Sequence, residues 1–545
     1  MLVILIKKGV RTKMTLLIST SILVVAAMVS IVINRRWLPR LSVNYVSMLV
    51  GAVIAVIPLL NGLVERFNSE IFIGLIVAPL LYFEGQNTRL NLVGRHAREI
   101  LSLTVGMVVL CAVVAGIGTQ LFAGVGLPLA FILAAISTPT DATATESVTM
   151  GRELPRPQQT SLKLESLFND ASGIILLNMA TLWYINGYIN YYQTLWDFIY
   201  SAGGGLLFGG IVSSLIVYIR QSMLRSKLNF INNTYNNGTP LKIIFLMTPF
   251  VLYFGAEALG VSGIIAVVSA GLVHNAEGER SSLANPQLAS DLHQLIGLLN
   301  DILNSVVFIV LGIMLLRTLL DRSVTYNGSL IWVGIGVALY VANLLARYDY
   351  VRLVQRVGNR EAWIFALGGI HGAVTFALAF TVAETQVRTA DFNLVLMSES
   401  LLIILSLIVP TVIFRWLLPK VRIDMDDAAR MAVIREQMIE AGIHELWQMP
   451  ISQEFKEAIT FDLRSQNGHT TLRQFLSEWR RMVQHPDYTA DQMRELMAIY
   501  RHVFQAERNY VEQQYNATAG LSEDSFNQLY REITMAEMVV LEYGA

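Results

Sequence analysis

The sequence contains a single cysteine among 545 residues, and only 15% of its residues are charged. A soluble protein carries roughly 25% charged residues, so most of this chain is not expected to face water. The lone Cys111 cannot form an intrachain disulfide, and this excludes the disulfide-rich secreted class. No Gly-x-x-x-x-Gly-Lys-Ser/Thr phosphate loop is present, so ATP is not the expected energy source.

The charges that are present divide the chain into two parts. Residues 1–420 hold 28 Lys/Arg and 21 Asp/Glu, whereas residues 421–545 hold 12 and 20. The first part has a net charge of +7 and the second of -8. This predicts a membrane domain over residues 14–420 and an acidic, soluble tail over residues 421–545.

Apolar runs long enough to cross a bilayer, about 20 residues each, recur along the first part. They predict an all-α, polytopic membrane protein with about thirteen transmembrane helices. The candidate spans are residues 14–33, 43–60, 70–88, 100–124, 127–149, 160–186, 194–219, 241–259, 260–275, 295–320, 328–347, 361–384 and 393–419.

The connections after odd-numbered spans are the basic ones, which places them and the tail in the cytoplasm by the positive-inside rule. We therefore expect a multi-pass protein of the inner (plasma) membrane. The basic residues after odd-numbered spans are Arg35, Arg36, Arg40, Arg89, Arg95, Arg98, Arg152, Arg156, Arg220, Arg225, Lys227, Arg280, Arg347, Arg352, Arg356, Arg360, Lys420 and Arg422; those after even-numbered spans are Arg66, Arg322 and Arg388.

The extreme N-terminus disagrees with this topology, because Lys7, Lys8, Arg11 and Lys13 precede a first span that would start outside. We hypothesise that translation begins at Met14, which would make residues 1–13 a basic extension that is not translated. The tail shows helical periodicity over residues 431–438 and 492–500, with breaks at Pro450 and at residues 466–469. We interpret it as a helical regulatory or partner-binding segment.

Ionisable residues inside spans indicate function, because each costs about 2.5–3.5 kcal/mol on insertion scales. Acids outnumber bases here, so the acidic cluster must be protonated or must hold a cation. The acids are Glu84, Asp141, Glu146, Glu165, Asp170, Glu257, Asp301 and Glu399, of which Glu146, Asp301 and Glu399 are expected near span ends; the potential cations are Lys163, Arg317, His371 and Arg415.

Two spans carry helix-breaking residues at corresponding positions of two halves. The fifth span contains Pro139 beside Thr140 and Asp141, and the twelfth has three glycines within residues 368–372. Freed carbonyls and hydroxyls at such breaks can ligate a cation. The pattern predicts a transporter with inverted repeats and two broken helices.

Four motifs together resemble those of the cation–proton antiporter-one family, the prokaryotic sodium/proton exchangers related to animal sodium/hydrogen exchangers. The sixth span contains Glu165-Ser-Leu-Phe-Asn-Asp170, which resembles that family's Glu-Ser-x-x-Asn-Asp signature. Thr140-Asp141 resembles its Thr-Asp-Pro segment with Ala142 in place of proline, and segments 78–84 and 256–263 match its Pro-x-Leu-x-Phe-Glu and Ala-Glu-x-Leu-Gly-x-Ser-Gly elements.

The resemblance implies a homodimer in the lipid bilayer that exchanges Na⁺ (or Li⁺) for H⁺ electroneutrally by alternating access, without a cofactor and without enzymatic activity. It implies that Asp170 carries cation and proton in turn. Glu84, Asp141, Thr140 and Ser166 are then candidate ligands of the ion, with Na⁺ held at Asp170, Asp141 and Glu84, while Asn169, Glu165 and His371 form the scaffold.

His371 departs from the family, which usually has arginine before that glycine to pair with a buried acid. Histidine titrates near neutrality, so we hypothesise that His371 makes the scaffold around Glu165 sensitive to pH. The alternative is that another side chain supplies the positive charge.

Three other functions remain open at this stage: K⁺/H⁺ exchange, an ion channel, and a non-transporting membrane sensor that signals through its tail. A channel requires a continuous polar pore or a filter, whereas the polar residues here cluster at two breaks. No nucleic-acid partner is expected, and a cytoplasmic regulator could bind the tail.

Overall fold

The computed structural model describes residues 2–39, 41–64, 68–149, 151–188, 191–225, 238–281, 286–320, 330–384, 388–420, 425–466, 490–516 and 523–543. Within these residues it is all-helical, as predicted, with one isolated antiparallel bridge between Arg152 and Lys420. The chain divides into two compact units, Met1–Lys420 and Val421–Ala545. Arg40, Arg66, Lys227, Arg322 and Arg422, which belong to the predicted connections between or after spans, lie outside the described residues.

The first unit contains twenty described helices, and three π-helical turns each join two of them. They are α1 Leu2–Trp37, α2 Val43–Val56, α3 Pro58–Leu63, α4 Ser69–Phe72, α5 Ala78–Gln86, α6 Leu90–Arg95, α7 Ala97–Leu101, α8 Val108–Ala123, α9 Leu127–Ile136, α10 Ala142–Thr149, α11 Arg156–Asn186, α12 Tyr191–Phe198, α13 Gly204–Arg225, α14 Gly238–Ala258, α15 Gly263–Ser281, α16 Pro286–Leu320, α17 Ile331–Leu353, α18 Asn359–Gly368, α19 Ala373–Glu384 and α20 Thr389–Leu417; the π-helical turns are Ile73–Val77, Ser102–Met107 and Ile199–Gly203.

Seven described helices are long and apolar enough to cross a membrane, or eight if the bent pair of α18 and α19 is one span. The other predicted spans coincide with helices that are short, interrupted or polar, such as α2, the α9–α10 pair and α11. A hydrophobic run therefore locates the helices, but the count of thirteen is not confirmed. Helix α1 is continuous from Leu2, so residues 2–13 belong to the same helix as the first span.

The two predicted breaks are present. Helix α9 begins with Pro128 in its first turn and ends at Ile136, and α10 begins only at Ala142. Pro139 lies between them and has no N–H to continue the helical ladder. Helices α18 and α19 are separated by residues 369–372 and differ in direction by 54°. Both broken pairs are enclosed by apolar side chains of the first unit's core.

The second unit has its own helices and its own core. It consists of α21 Met425–Gln448, α22 Gln453–Ser465, α23 Ala490–Asn516 and α24 Glu523–Tyr543 among its described residues. Pro450 lies in the gap between α21 and α22, as predicted. The core joins α21 with α23 and α24 through residues such as Leu446, Phe504 and Ile533. Amphipathic helices thus bury their apolar faces against each other.

Candidate ion-binding site

The two helix breaks cross in the buried interior of the first unit, and we call residues 137–141 and 369–372 the crossing. The Asp141 backbone N–H donates to the Ile370 carbonyl over 2.8 Å. His371 Nδ1 lies 2.9 Å from the Pro139 carbonyl oxygen, which also accepts the Thr375 hydroxyl at 3.2 Å. Backbone N–H and C=O groups that lose their helical partners at one break thus form hydrogen bonds with groups of the other break, as buried polar groups require.

Glycine permits this close approach at two positions of the second break. A Cβ added to Gly372 would overlap the Asp141 carboxylate, and one added to Gly369 would overlap the Arg347 guanidinium. Helix α11 approaches equally closely, because a Cβ on Gly173 would lie 2.6 Å from Pro139 Cγ. The small residues therefore set the position of charged groups as well as interrupting a helix.

Asp141 caps the half-helix α10. Its Oδ1 accepts the Thr143 N–H at 2.8 Å, the Thr143 hydroxyl at 2.7 Å and the Ala144 N–H at 3.1 Å. A carboxylate at a helix N-terminus is stabilised by the unpaired N–H groups and by the helix dipole. Since one oxygen is committed to the cap, only Oδ2, which faces Gly372, is available to another ligand.

The signature residues of α11 converge on Thr140. Asn169 Nδ2 donates to Thr140 Oγ1 at 2.7 Å, and Ser166 Oγ lies 3.2 Å from the same oxygen. Thr140 Oγ1 in turn lies 3.3 Å from Glu165 Oε1. Asn169 therefore ties α11 to the first break, in line with the scaffold role that the resemblance implies.

Glu165 is fully buried and forms a two-pronged ion pair with Arg347 of α17. Arg347 Nη2 donates to Glu165 Oε2 at 2.8 Å, Nη1 donates to Oε1, and the guanidinium carbon lies 4.9 Å from the Phe365 ring centroid. Arg347 counts as a basic loop residue in the predicted topology, but it lies inside a helix and is 3% exposed. Arg347 thus supplies the positive charge that faces Glu165, while His371 lies at the crossing.

Asp170 is 2% exposed, and its Oδ1 has no hydrogen-bond partner among the residues that the structure describes. Its carboxylate interacts electrostatically with Asp141 and with Glu84 of α5. Within the described ranges, no group of three or more His, Cys, Asp or Glu side chains has the geometry of a metal site. Hydroxyl and backbone oxygens would therefore have to complete a cation's ligand shell.

A cavity of about 380 Å³ lies beside α10 and α11. Its lining includes Thr145 and Glu146 of α10 and Lys163 of α11. Arg89 and Arg152, which the charge pattern assigns to cytoplasmic connections, lie on the same cavity. The cavity thus reaches from the basic connections at Arg89 and Arg152 to α10, the half-helix that Asp141 caps.

Sequence reasoning missed two buried groups. Arg347 follows the apolar segment 330–346, and its position inside a long helix was the available signal. Glu399 was expected near a span end, yet it is fully buried within α20 and neither carboxylate oxygen has a partner among the described residues. Nothing in the neighbouring sequence distinguishes Glu399 from an acid at a helix end.

A helical membrane unit in which two interrupted helices meet around buried carboxyl groups defines a membrane transporter of the discontinuous-helix class. The family model described as "Sodium/hydrogen exchanger, transmembrane" matches residues 21–420. The chain belongs to the sodium/hydrogen exchanger family, and it is a multi-pass membrane protein.

Two curated Bacillus relatives carry the name "Sodium, potassium, lithium and rubidium/H(+) antiporter". The protein of Bacillus pumilus is 29% identical over 453 residues, covering 78% of this chain and 65% of its own length. The protein of Bacillus subtilis is 29% identical over 404 residues, covering 70% of this chain and 58% of its own length. The chain thus spans about three fifths of the length of these relatives.

The fold also matches a solved structure, the sodium proton antiporter MjNhaP1 from Methanocaldococcus jannaschii at pH 8. The TM-score is 0.56 and the sequence identity 18%, and the match covers 74% of this chain and 98% of the other. At this identity the likeness concerns the fold alone.

Proposed function

We propose that the protein is a secondary antiporter that exchanges Na⁺, and also Li⁺, for H⁺. Cation and proton compete for the Asp170 carboxylate, and the loaded site is exposed alternately to the two sides of the membrane. The energy comes from an ion gradient, and no cofactor takes part. Family membership supports cation/proton exchange, while the assignment to Asp170 rests on the site's geometry.

The observation that carries the proposal is the contrast between two acids on α11. Glu165 is neutralised by Arg347, whereas the Oδ1 of buried Asp170 has no partner among the described residues. An unpaired, ionised carboxylate in an apolar interior is costly, so Asp170 must hold a proton or a cation when it is shielded from water. A site that crosses the barrier only when occupied yields coupled exchange.

One carboxylate beside an amide also favours electroneutral exchange. Asn169 occupies the position next to Asp170 and donates to Thr140, so no second acid is adjacent in sequence. One cation then replaces one proton. The cation's ligands would come from Asp170, Ser166 and Thr140, with Glu84 and Asp141 Oδ2 contributing directly or through water.

The scaffold roles follow from the same contacts. Asn169 and Glu165 hold α11 against the first break and against α17, and His371 holds the two breaks together through the Pro139 carbonyl. Displacing any of these groups would move the ligand oxygens relative to each other, which a cation site tolerates poorly.

K⁺/H⁺ exchange is the second candidate, because the names of both Bacillus relatives include potassium. Carboxylate, hydroxyl and carbonyl oxygens suit both ions, so the mechanism would be unchanged. We further propose that residues 14–420 form the transport domain in the plasma membrane, as a homodimer, and that residues 421–545 form a cytoplasmic tail for a regulator.

The test is proton movement in proteoliposomes that contain a pH-sensitive dye, with Na⁺, Li⁺ and K⁺ added in turn. We expect a Na⁺-driven pH change that disappears in Asp170→Asn and persists in Asp349→Asn, a control at an exposed acid of α17. A response to K⁺ but not to Na⁺ would change the substrate and keep the mechanism.

Wild-type protein that moves no protons with any of the three cations, over roughly pH 6 to 9 where carboxylates and histidines of such sites titrate, would refute exchange. The sensor interpretation would then be preferred. An Asp170→Asn variant with full activity would refute the assigned carrier residue while leaving the exchanger intact.

A further inference from the structure

Lys163 lies on the same face of α11 as the two central ligand candidates. Lys163, Ser166 and Asp170 are spaced by three and four residues, the separation at which side chains of an α-helix stack on one face. Lys163 is half-buried and lines the 380 Å³ cavity. The same cavity is lined by Ala142, the residue after Asp141, and by Glu146, so its inner end lies at the half-helix that Asp141 caps.

The Lys163 ammonium acts on the acids around it without being paired to one of them. It interacts electrostatically with Glu84 and with Glu146. Within the described part of the chain, no carboxylate lies within the 4.0 Å of an ion pair with it. Arg347 and Lys242, by contrast, are paired with Glu165 and Asp291. Lys163 therefore lines the cavity without an ion pair to any described carboxylate.

A fixed positive charge beside an acidic site weakens the attraction of that site for a mobile cation. The interaction falls with distance and with the local dielectric constant, and it is stronger in a partly enclosed cavity than in bulk water. Glu84 is among the acids that act on Asp170, so Lys163 opposes the field that draws a cation to the carrier.

We infer that Lys163 is a fixed positive charge beside the pathway by which the transported cation reaches its site. It is a positioning residue that sets the apparent affinity for that cation through Glu84 and Glu146. The inference rests on the proposed antiport function and adds a determinant of affinity to it. Lys163 lowers the affinity of the site and so speeds release of the cation from the carrier.

A charge series at this position separates electrostatics from packing. Lys163→Arg keeps the charge, Lys163→Gln removes it with nearly the same side-chain length, and Lys163→Glu reverses it. Lys242→Gln is the matched control, because it removes a half-exposed lysine from the same unit. All variants are purified as the full chain, and only monodisperse protein is compared.

Two readouts are used: binding of ²²Na⁺ to purified protein, and the KM and maximal rate for Na⁺ in proteoliposomes. We expect Kd and KM to fall about three- to tenfold in Lys163→Gln, from Coulomb's law at the dielectric constant of a partly buried site. They should fall further in Lys163→Glu and stay unchanged in Lys163→Arg and Lys242→Gln. The maximal rate should not rise in parallel.

Equal Kd values in wild type, Lys163→Gln and Lys163→Arg would overturn the inference while leaving exchange itself intact. A shift in Kd without proton movement in wild type would refute the proposed exchange and uphold Lys163 as a determinant of affinity. Absence of ²²Na⁺ binding to wild type, together with no proton movement on adding Na⁺, Li⁺ or K⁺, would overturn both. If K⁺ alone drives proton movement, the KM for K⁺ is compared across the same series of variants. If Lys163→Glu does not fold, the Gln and Arg variants decide.

Discussion

The membrane unit and the tail each bury a carboxyl group without hydrogen-bond partners among the described residues, yet the two surroundings differ. Asp170 lies one helical turn from Ser166, whose hydroxyl contacts that of Thr140, and it interacts with two further acids, Asp141 and Glu84. Glu507 of α23 is fully buried against Gly442 in the tail's apolar core, with neither oxygen in hydrogen-bond geometry to a described residue. Burial alone therefore does not distinguish the proposed ion site; its polar and acidic neighbours do.

A second contrast lies within α11, where two buried acids five residues apart have opposite environments. Glu165 is paired with Arg347, whereas the charged groups that act on Asp170 among the described residues are the acids Asp141 and Glu84. Under the proposed mechanism, the first acid stays charged as part of the scaffold and the second holds a proton or a cation.

The largest effect is expected from removing Arg347, the ion-pair partner of Glu165. Arg347→Ala leaves Glu165 ionised and unpaired, which in a buried pair costs about 3–5 kcal/mol. We expect a large fall in the thermal unfolding temperature in detergent, or loss of monodisperse protein. Arg352→Ala, at an exposed residue of the same helix, is the control.

The double variant Arg347→Met/Glu165→Leu should recover much of the lost stability, because no buried charge is then left alone. If Arg347→Ala were as stable as wild type, the ion pair would not stabilise the unit, and the distinction between Glu165 and Asp170 would fail.

The next largest effect is expected at Glu507, the buried acid of the tail, whose contribution to stability depends on pH. Burial raises the pKa of Glu507 from 4.5 to about 8, partly opposed by Gln466 and Arg508. Between those two values the unfolded tail has lost the proton while the folded tail keeps it, so stability falls as pH rises through this window and is level above pH 8. Glu507→Gln should remove this slope and gain roughly 2–4 kcal/mol at pH 8.

Hydrogen exchange of α21 and α23 in the full-length protein, corrected for intrinsic rates, measures this effect. Glu512→Gln, at an exposed position of the same helix, should keep the wild-type slope. If the protection of the wild-type tail is independent of pH from 5 to 8, roughly the range between the pKa values of the unfolded and folded states, Glu507 is solvated and the two buried acids are not comparable.

The smallest effect concerns His371. Its side chain contacts the Pro139 carbonyl, and Arg347 occupies the position opposite Glu165. We expect His371→Gln, which retains a donor for Pro139, to give a transport pH profile that superimposes on that of wild type. His371→Arg is the harsher variant, because it adds a second buried cation near Arg347.

A pH profile displaced by about one unit or more in His371→Gln would support the pH-switch hypothesis instead, since a titrating imidazole shifts activity near its own pKa. The comparison that matters is the shape of the profile, and a uniform loss of rate would indicate only a disturbed crossing.

Local patterns predicted the elements of the fold. Pro139 and the glycines at 368–372 predicted the two breaks, because proline lacks a donor and glycine allows backbones to approach closely. The three-and-four spacing predicted that Glu165 and Asn169 share a face of α11. The number of spans could not be predicted from such patterns: residues 160–186 were predicted as a span, but α11 is too polar to qualify as one by length and hydropathy.

Long-range partners could not be predicted in the same way. Arg347 is 182 residues from Glu165, and an arginine that ends the predicted span 328–347 is counted as a loop residue. In the sequence, Lys163 likewise resembles a basic residue near a span end. The cavity that it lines and the acids near it are present only in the folded chain.

By itself, the sequence determined that this is a helical membrane protein with two interrupted spans and with acids where charges are expensive, because composition and periodicity are local properties of the chain. Only the tertiary structure decided which acid is paired with an arginine and which has no ion-pair partner among the described residues, because helix packing selects the charged partner from residues that are distant in sequence. The environment of Asp170 is therefore a property of the packed helices and not of any one of them.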